Sequence, residues 1–309
     1  MISFQMFIEK VKTDIEGRFG DKAAIKVQKI LKNNGIKETG LTMVVYGDAS
    51  GPVFYLEPWY EQYKEGLMSI QEIGDEIYDM FNTFEKPDYP MGSLKDFERL
   101  KDRIFYKLVS YERNMELLKD IPYVAYLDLA VVFYVLIDRN EKGQSIALIH
   151  QSEMVVWRTD TETLYQLAKE NTPRLFPPSI EPMSDIMQRI AKESMGEQYR
   201  DQILDGLFSK QLYVLSNENG TNGAAVILYE GVLKDFADIV ESDLVIVPSS
   251  IHETLIIPYK KGVDIESMRE TVIHTNQTEV PRSDILSDSV YRYNREKDMV
   301  YLTPESNTQ

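Results

Sequence analysis

The chain has 309 residues, 43% hydrophobic and 27% charged, a balance that supports a large buried core and excludes an intrinsically disordered chain. The formal net charge is −16 and the sequence pI about 4.7. An acidic surface repels phosphate, so neither nucleic acid nor an anionic membrane is expected as a partner. The chain has no cysteine, which excludes disulfides, thiolate nucleophiles and cysteine-ligated zinc or iron–sulfur centres and fits a cytoplasmic location.

The N-terminus lacks the basic start and apolar core of a secretory signal. The longest apolar run, Leu129–Ile137, is far shorter than the roughly 20 residues of a membrane helix. A helix is expected over residues 3–17, where Phe4, Phe7, Val11 and Ile15 recur at helical spacing behind Ser3 as a cap. Strands follow at Ile25–Leu31, Leu41–Tyr46 and Val53–Leu56, with turns at Asn33-Asn34-Gly35 and Gly47-Asp48. Lys22, Lys26, Lys29, Lys32 and Lys37 make this stretch locally basic, as a solvated or edge-protecting strand face requires. Tyr55, Trp59, Tyr60 and Tyr63 cluster beyond it and read as core or core edge, an exposed patch of them being suited to a protein partner.

Ser69 and Glu72 box the start of a helix to Phe84, with Ile70, Ile73, Ile77, Met80, Phe81 and Phe84 on one face. Glu72, Asp75, Glu76 and Asp79 line the other. Carboxylates four apart hold metal in helical bundles only with histidine partners, and none lies near, so a solvated acidic face is expected. Asp88–Ser93 reads as a loop, Ser93–Lys101 as a helix and Ile104–Tyr111 as a strand. From Tyr123 the sequence turns strongly β-prone, with strands at Tyr123–Ile137, Ile146–Ile149 and Met154–Trp157. A helix boxed by Thr159 and Glu162 comes next. Asn171–Ser184, with four prolines, reads as neither helix nor central strand, and a helix follows from Ser184.

Further on, Leu212–Leu215 and Ala225–Tyr229 are expected strands around a hairpin at Asn219–Gly223. Val232–Val240 is an expected helix. Leu244–Val247 and Leu255–Ile257 are buried strands, a helix begins near Asp264, and Val290–Tyr293 and Met299–Leu302 form a closing hairpin. The strand–strand–helix order recurs three times without a strict period. The expected fold is therefore α+β: largely antiparallel sheets built from repeated ββα units, helices packed on one face, in two lobes. With a boundary near Pro122, residues 1–121 form an N-terminal lobe, 122–303 a C-terminal lobe and 304–309 a frayed tail.

The densest set of reactive side chains lies between the two buried strands, in Pro248-Ser249-Ser250-Ile251-His252-Glu253. Ser249, Ser250, His252 and Glu253 are the candidate ligand-binding residues. A triad needs converging Ser–His and His–acid hydrogen bonds. Neighbours in an extended chain point to opposite faces, so only Ser250 and His252 share one. A tight turn with satisfied serine hydroxyls is the expected state. No catalytic residue is assigned. Position 256 is Ile256, so the histidine begins no zincin motif, and the only other imidazoles are His150 and His274. No phosphate-binding glycine motif occurs; neither cofactor nor metal is expected.

The segments LYVLSN (Leu212–Asn217), GAAVILY (Gly223–Tyr229), VLKDFAD (Val232–Asp238), VPSSIHE (Val247–Glu253) and LSDSVYRYNREKD (Leu286–Asp298) carry a resemblance. LKNNG (Leu31–Gly35) and YEQYKEG (Tyr60–Gly66) extend it toward the N-terminus. Together the chain resembles an uncharacterised domain-of-unknown-function family of gut Clostridia and related Firmicutes. The resemblance implies a bacterial, cytosolic, full-length module and assigns no activity. The leading expectation is a non-enzymatic cytosolic protein that binds a protein partner or small ligand. The alternative is a metal-free hydrolase using Ser249/Ser250 and His252.

Overall fold

The computed structural model describes residues 2–46, 51–84, 95–140, 143–194 and 212–303. The turn expected at Gly47-Asp48, the loop at Asp88–Ser93 and the tail at 304–309 lie outside these. The chain divides into two compact units, Met1–Asp96 with Ile137–Ser145, and Phe97–Leu136 with Ile146–Gln309. The residues on either side of Pro122 belong to the same unit.

The first unit contains α1 (Phe4–Phe19), β1 (Ala23–Leu31), β2 (Lys37–Val45), β3 (Val53–Tyr55), α2 (Glu57–Lys64) and α3 (Ile70–Thr83). Its sheet runs β1-β2-β3, antiparallel throughout. Ser3 caps α1 by accepting from the Met6 backbone N–H, and the helix buries Phe7, Val11 and Ile15 completely. The β1–β2 turn places Asn34 at φ 57° and Gly35 at φ 69°, the left-handed pair that a tight hairpin needs. Ser69 and Glu72 form the expected capping box on α3. Ile73 and Ile77 join the α1 face in the core, whereas Met80 and Phe84, expected on the same stripe, are exposed. The acidic face of α3 is partly engaged, since Arg18 on α1 donates to Asp14 at 2.6 Å and to Asp75 at 2.5 Å. Trp59 is buried, and the rings of Tyr60 and Tyr63 pack at a tilt against Phe7.

The second unit contains α4 (Phe97–Leu100), β4 (Ile104–Ser110) and β5 (Tyr123–Tyr126), then β6 (Leu129–Asn140) and β7 (Gly143–Leu148), whose residues 137–145 fall in the first unit. There follow α5 (Gln151–Trp157), α6 (Thr161–Leu175), β8 (Pro178–Pro182), α7 (Met183–Ser194) and β9 (Tyr213–Asn217). The rest is α8 (Val232–Ile239), β10 (Leu244–Val247), β11 (Thr254–Pro258), α9 (Ile265–Thr278), β12 (Tyr291–Asn294) and β13 (Met299–Leu302). One sheet has the order β4-β6-β5 with β7 on β6; the other runs β13-β12-β10-β11-β9-β8. The fold is α+β with antiparallel sheets, as its alternation of apolar runs and turns implies.

Several elements differ from expectation. Met154–Trp157 is not a strand but the end of α5, because the Glu153 carboxylate caps the His150 backbone N–H at 2.9 Å. Met154 and Trp157, three apart, are buried while Val155 and Val156 face outward, a helical period hidden in a four-residue apolar run. Asp160 rather than Thr159 caps α6, accepting from Thr163 N–H at 2.8 Å. That helix continues through Pro173 in its last turn, giving up one N–H bond to the carbonyl four residues back. Ala225–Tyr229 is not a strand either. Gly223–Leu228 forms a 3-10 helix buried on nearly every side, so Asn219–Gly223 is a strand-to-helix loop and not a hairpin. The expected unit over Leu212–Val240 is thus not ββα, whereas the one over Leu244–Thr278 is, and the same order occurs as β2–β3–α2 and β6–β7–α5. The proline-rich Pro178–Pro182 is an edge strand, a sheet position that tolerates prolines.

The two sheets of the second unit are tied by one carboxylate. The β5–β6 turn places Leu127 at φ 56° and leaves Asp128 at its corner. Asp128 accepts from Ser287 Oγ at 2.5 Å and from Tyr291 Oη at 2.7 Å, and Tyr291 is completely buried. Asp128→Ala should destabilise the protein by about 2–4 kcal/mol, because it strands a buried phenol and a buried hydroxyl. A urea midpoint within error of wild type would refute this clamp.

Lys107 on β4 is 8% exposed, its ammonium 4.2 Å from the centre of the Tyr134 ring. Burial pushes its pKa down to about 8 and that of Tyr134 up to about 12. The folded lysine therefore releases its proton before the unfolded one, and stability rises with pH from about 8 toward 10. Above about 10 the unfolded tyrosines ionise first and stability falls again. Lys107→Met should raise stability at pH 7 by up to ~3 kcal/mol and flatten the rise between about pH 8 and 10. Denaturant melts across that range check both effects.

Candidate functional site

Ser249, Ser250, His252 and Glu253 lie in the connector between β10 and β11, central strands of the six-stranded sheet. Their backbone is fixed at every step. Ser250 N–H donates to Glu253 O at 3.2 Å, Ile251 N–H to Asp284 O at 2.8 Å, and Ile251 O accepts from Ala224 N–H at 3.2 Å. His252 N–H donates to Ser250 Oγ at 3.0 Å, the local bond that makes serine a turn residue. Ser250 is buried.

The structure brings the serines to Glu253 rather than to the imidazole. Ser249 Oγ donates to Glu253 Oε1 at 3.4 Å and Ser250 Oγ to the same oxygen at 3.3 Å. His252 is turned elsewhere. Its Nδ1 accepts from Asn222 N–H at 3.2 Å, and its Nε2 stands 3.7 Å from Asp284 Oδ2. An acceptor at Nδ1 puts the proton of the neutral ring on Nε2, toward Asp284. Neither nitrogen presents a lone pair to a serine hydroxyl, as a general base must.

Around this connector the chain converges on Gly223. A Cβ there would collide with Ser216 Oγ and lie 2.6 Å from both Asn217 N and His252 O. Ser216 Oγ in turn donates to His252 O at 2.8 Å. Asn222 (φ 55°) and Gly220 (φ 63°) supply the left-handed residues that carry the chain from β9 into the 3-10 helix. The buried Asn217 side chain bonds Thr221 O at 2.9 Å and Asn219 N–H at 3.0 Å.

Glu253 faces a cleft of about 430 Å³ between the β8 edge, the β9 loop and α7. Glu181 and Glu218 also line it, with Ser179, Ser216 and Asn219 as neutral polar groups. Among the described residues Arg189 is the one lining cation, already paired with Glu181 at 3.0 Å. Three carboxylates against one guanidinium make the cleft anionic. Sequence reasoning identified Glu253 but missed Glu181, Glu218, Arg189 and Asp284. Only the turn-rich run around Glu218 offered a local signal; the others are brought in by strand pairing. Among the described residues no group of three or more His, Asp or Glu side chains is placed to hold a metal ion, and no helix is long and apolar enough to cross a membrane.

The fold and site define an α+β protein with antiparallel sheets and a preformed polar cleft at the end of a central strand pair. The chain belongs to a family of unknown function (DUF5688), whose family model matches residues 4–295. No curated protein and no solved structure matches it.

Gly223→Ala should cost about 1–3 kcal/mol, because the strand, loop and connector must separate to admit a methyl group. It should also release the His252 ring from Asn222 N–H. An unchanged melting temperature together with an unchanged His252 ring chemical shift would show that the convergence is not tight.

Proposed function

We propose that the protein is a non-enzymatic binding protein of the bacterial cytosol and that the Glu253 cleft takes a small cationic ligand. The observation that carries this reading is the placement of Glu253: two serine hydroxyls orient its carboxylate in a cleft that Glu181 and Glu218 also line. An oriented carboxylate on a rigid strand end recognises an ammonium or guanidinium group without rearrangement. The volume suits a small polar molecule better than a folded partner. The acidic sequence and the absence of cysteine support the cytosolic setting; the acidic surface disfavours nucleic acid and anionic membranes.

Isothermal titration with spermidine and with agmatine is the direct test. Saturable binding that weakens as salt is raised is expected. Glu253→Gln and Glu218→Gln should each weaken it by about fivefold, the loss of one partly solvated ion pair. Ser250→Ala should weaken it less, by freeing the carboxylate. Absence of binding by both amines, or glutamine variants that bind as tightly as wild type, would defeat the proposal. Labelling by a serine-reactive fluorophosphonate, lost in Ser250→Ala and in His252→Ala, would replace it with the hydrolase reading.

A further inference from the structure

A second cleft, of about 560 Å³, lies at the other end of β11. Its apolar wall is Ile257, Val263 and Met268, which pack with Val245 and Val272 beneath α9. Lys260 and Lys261 stand at its rim and are exposed. Among the described residues neither has an ion-pair partner, in a chain with 50 acidic and 34 basic side chains. The rim also holds one carboxylate, Asp264, whose Oδ1 accepts from Ser267 N–H at 3.1 Å as the cap of α9. The helical wall is fixed from behind. Arg269, buried, donates through Nη2 to Thr303 O at 3.0 Å and to Thr303 Oγ1 at 3.1 Å, and Asn276 donates to Ser287 O at 3.0 Å.

We propose that this cleft binds an organic anion with an apolar body, its head group between Lys260 and Lys261 and its tail against Ile257, Val263 and Met268. Two unpaired ammonium groups beside a preformed apolar wall match an amphipathic carboxylate, and both parts are needed. Exposed lysines alone hold an anion weakly because water screens them, while an apolar wall alone does not choose a charge. The proposal does not depend on the reading of the Glu253 cleft, which has the opposite charge.

The test is isothermal titration of the full chain with sodium decanoate below its micelle concentration, with sodium acetate as the head-group control. Decanoate should bind at a single site and acetate should not. The double variant Lys260→Glu/Lys261→Glu should weaken decanoate about tenfold, from reversal of two solvent-exposed charges. These residues lie on the surface, so the variant keeps its fold, which its thermal melt verifies. Met268→Trp, with both lysines intact, should remove binding by filling the apolar wall. The proposal is overturned by an absence of saturable decanoate binding, by an affinity unchanged in the double variant, or by multiple weak sites indifferent to it.

Discussion

The space at Gly223 is the constraint on which the second unit's site depends. Three segments meet there: β9 through Ser216 and Asn217, the start of the 3-10 helix a few residues on, and the sequence-distant β10–β11 connector through the His252 carbonyl. Only a residue without a Cβ lets these backbones approach to this distance. The approach then dictates the rest. It brings Asn222 N–H within 3.2 Å of His252 Nδ1 and Ser216 Oγ within 2.8 Å of His252 O. With the imidazole held in this way, the hydroxyls of Ser249 and Ser250 are left to Glu253. A connector that carries hydrolase residue types therefore folds as a carboxylate mount.

The charge of the chain is organised in the same local manner. Asp14 and Asp75 share Arg18, Asp238 is paired with Lys234 and Arg295, and Asp288 with Arg113. Such pairs add little to stability at an exposed surface, but they neutralise the groups that make them. What distinguishes the two clefts is the charge left unmatched. Among the described residues Glu218 and Glu253 make no ion pair although Arg189 lines their cleft, and Lys260 and Lys261 make none although Asp264 lines theirs. A net charge of −16 predicts a repulsive surface on average, yet the total conceals these residual local excesses of either sign.

Sequence patterning reached the elements whose signals are local. The Ser69/Glu72 box, the Asn34-Gly35 turn and the apolar strands Leu244–Val247 and Leu255–Ile257 were all legible, because capping, left-handed turns and buried runs need only neighbouring residues. It failed where a short apolar run fits two periods. Met154–Trp157 and Ala225–Tyr229 are β-prone by composition, but a local cap, Glu153 on His150, makes the first helical and enclosure on nearly every side makes the second a 3-10 helix. The candidate site was legible only in part. Glu253 could be singled out for standing beside two serines. Glu181, Glu218 and Arg189 reach the same cleft through the pairing of β8 with β9 and the packing of α7, and no spacing along the chain announces that.

Strand parity relates the two clefts. Glu181 pairs with Val214, and Val214 with Leu255. Ile257, two residues beyond Leu255, pairs with Val245. Alternation then puts Glu181, Val214, Leu255, Ile257 and Val245 on one face of the six-stranded sheet. Both clefts accordingly open on the same face, one at each end of β11, with α9 covering the sheet beside the basic one. The opposite face carries the completely buried Leu215, Ile246, Ile256 and Tyr291, and Tyr291 reaches Asp128 there. One face is thus cohesive at these positions, and the other, buried at Val245 beneath α9, carries a cleft at each end of β11. Because successive side chains of β11 alternate between them, a one-residue slip of that strand would exchange the two sets. The buried set and the Asp128 clamp fix its register, and so fix the separation and orientation of both clefts.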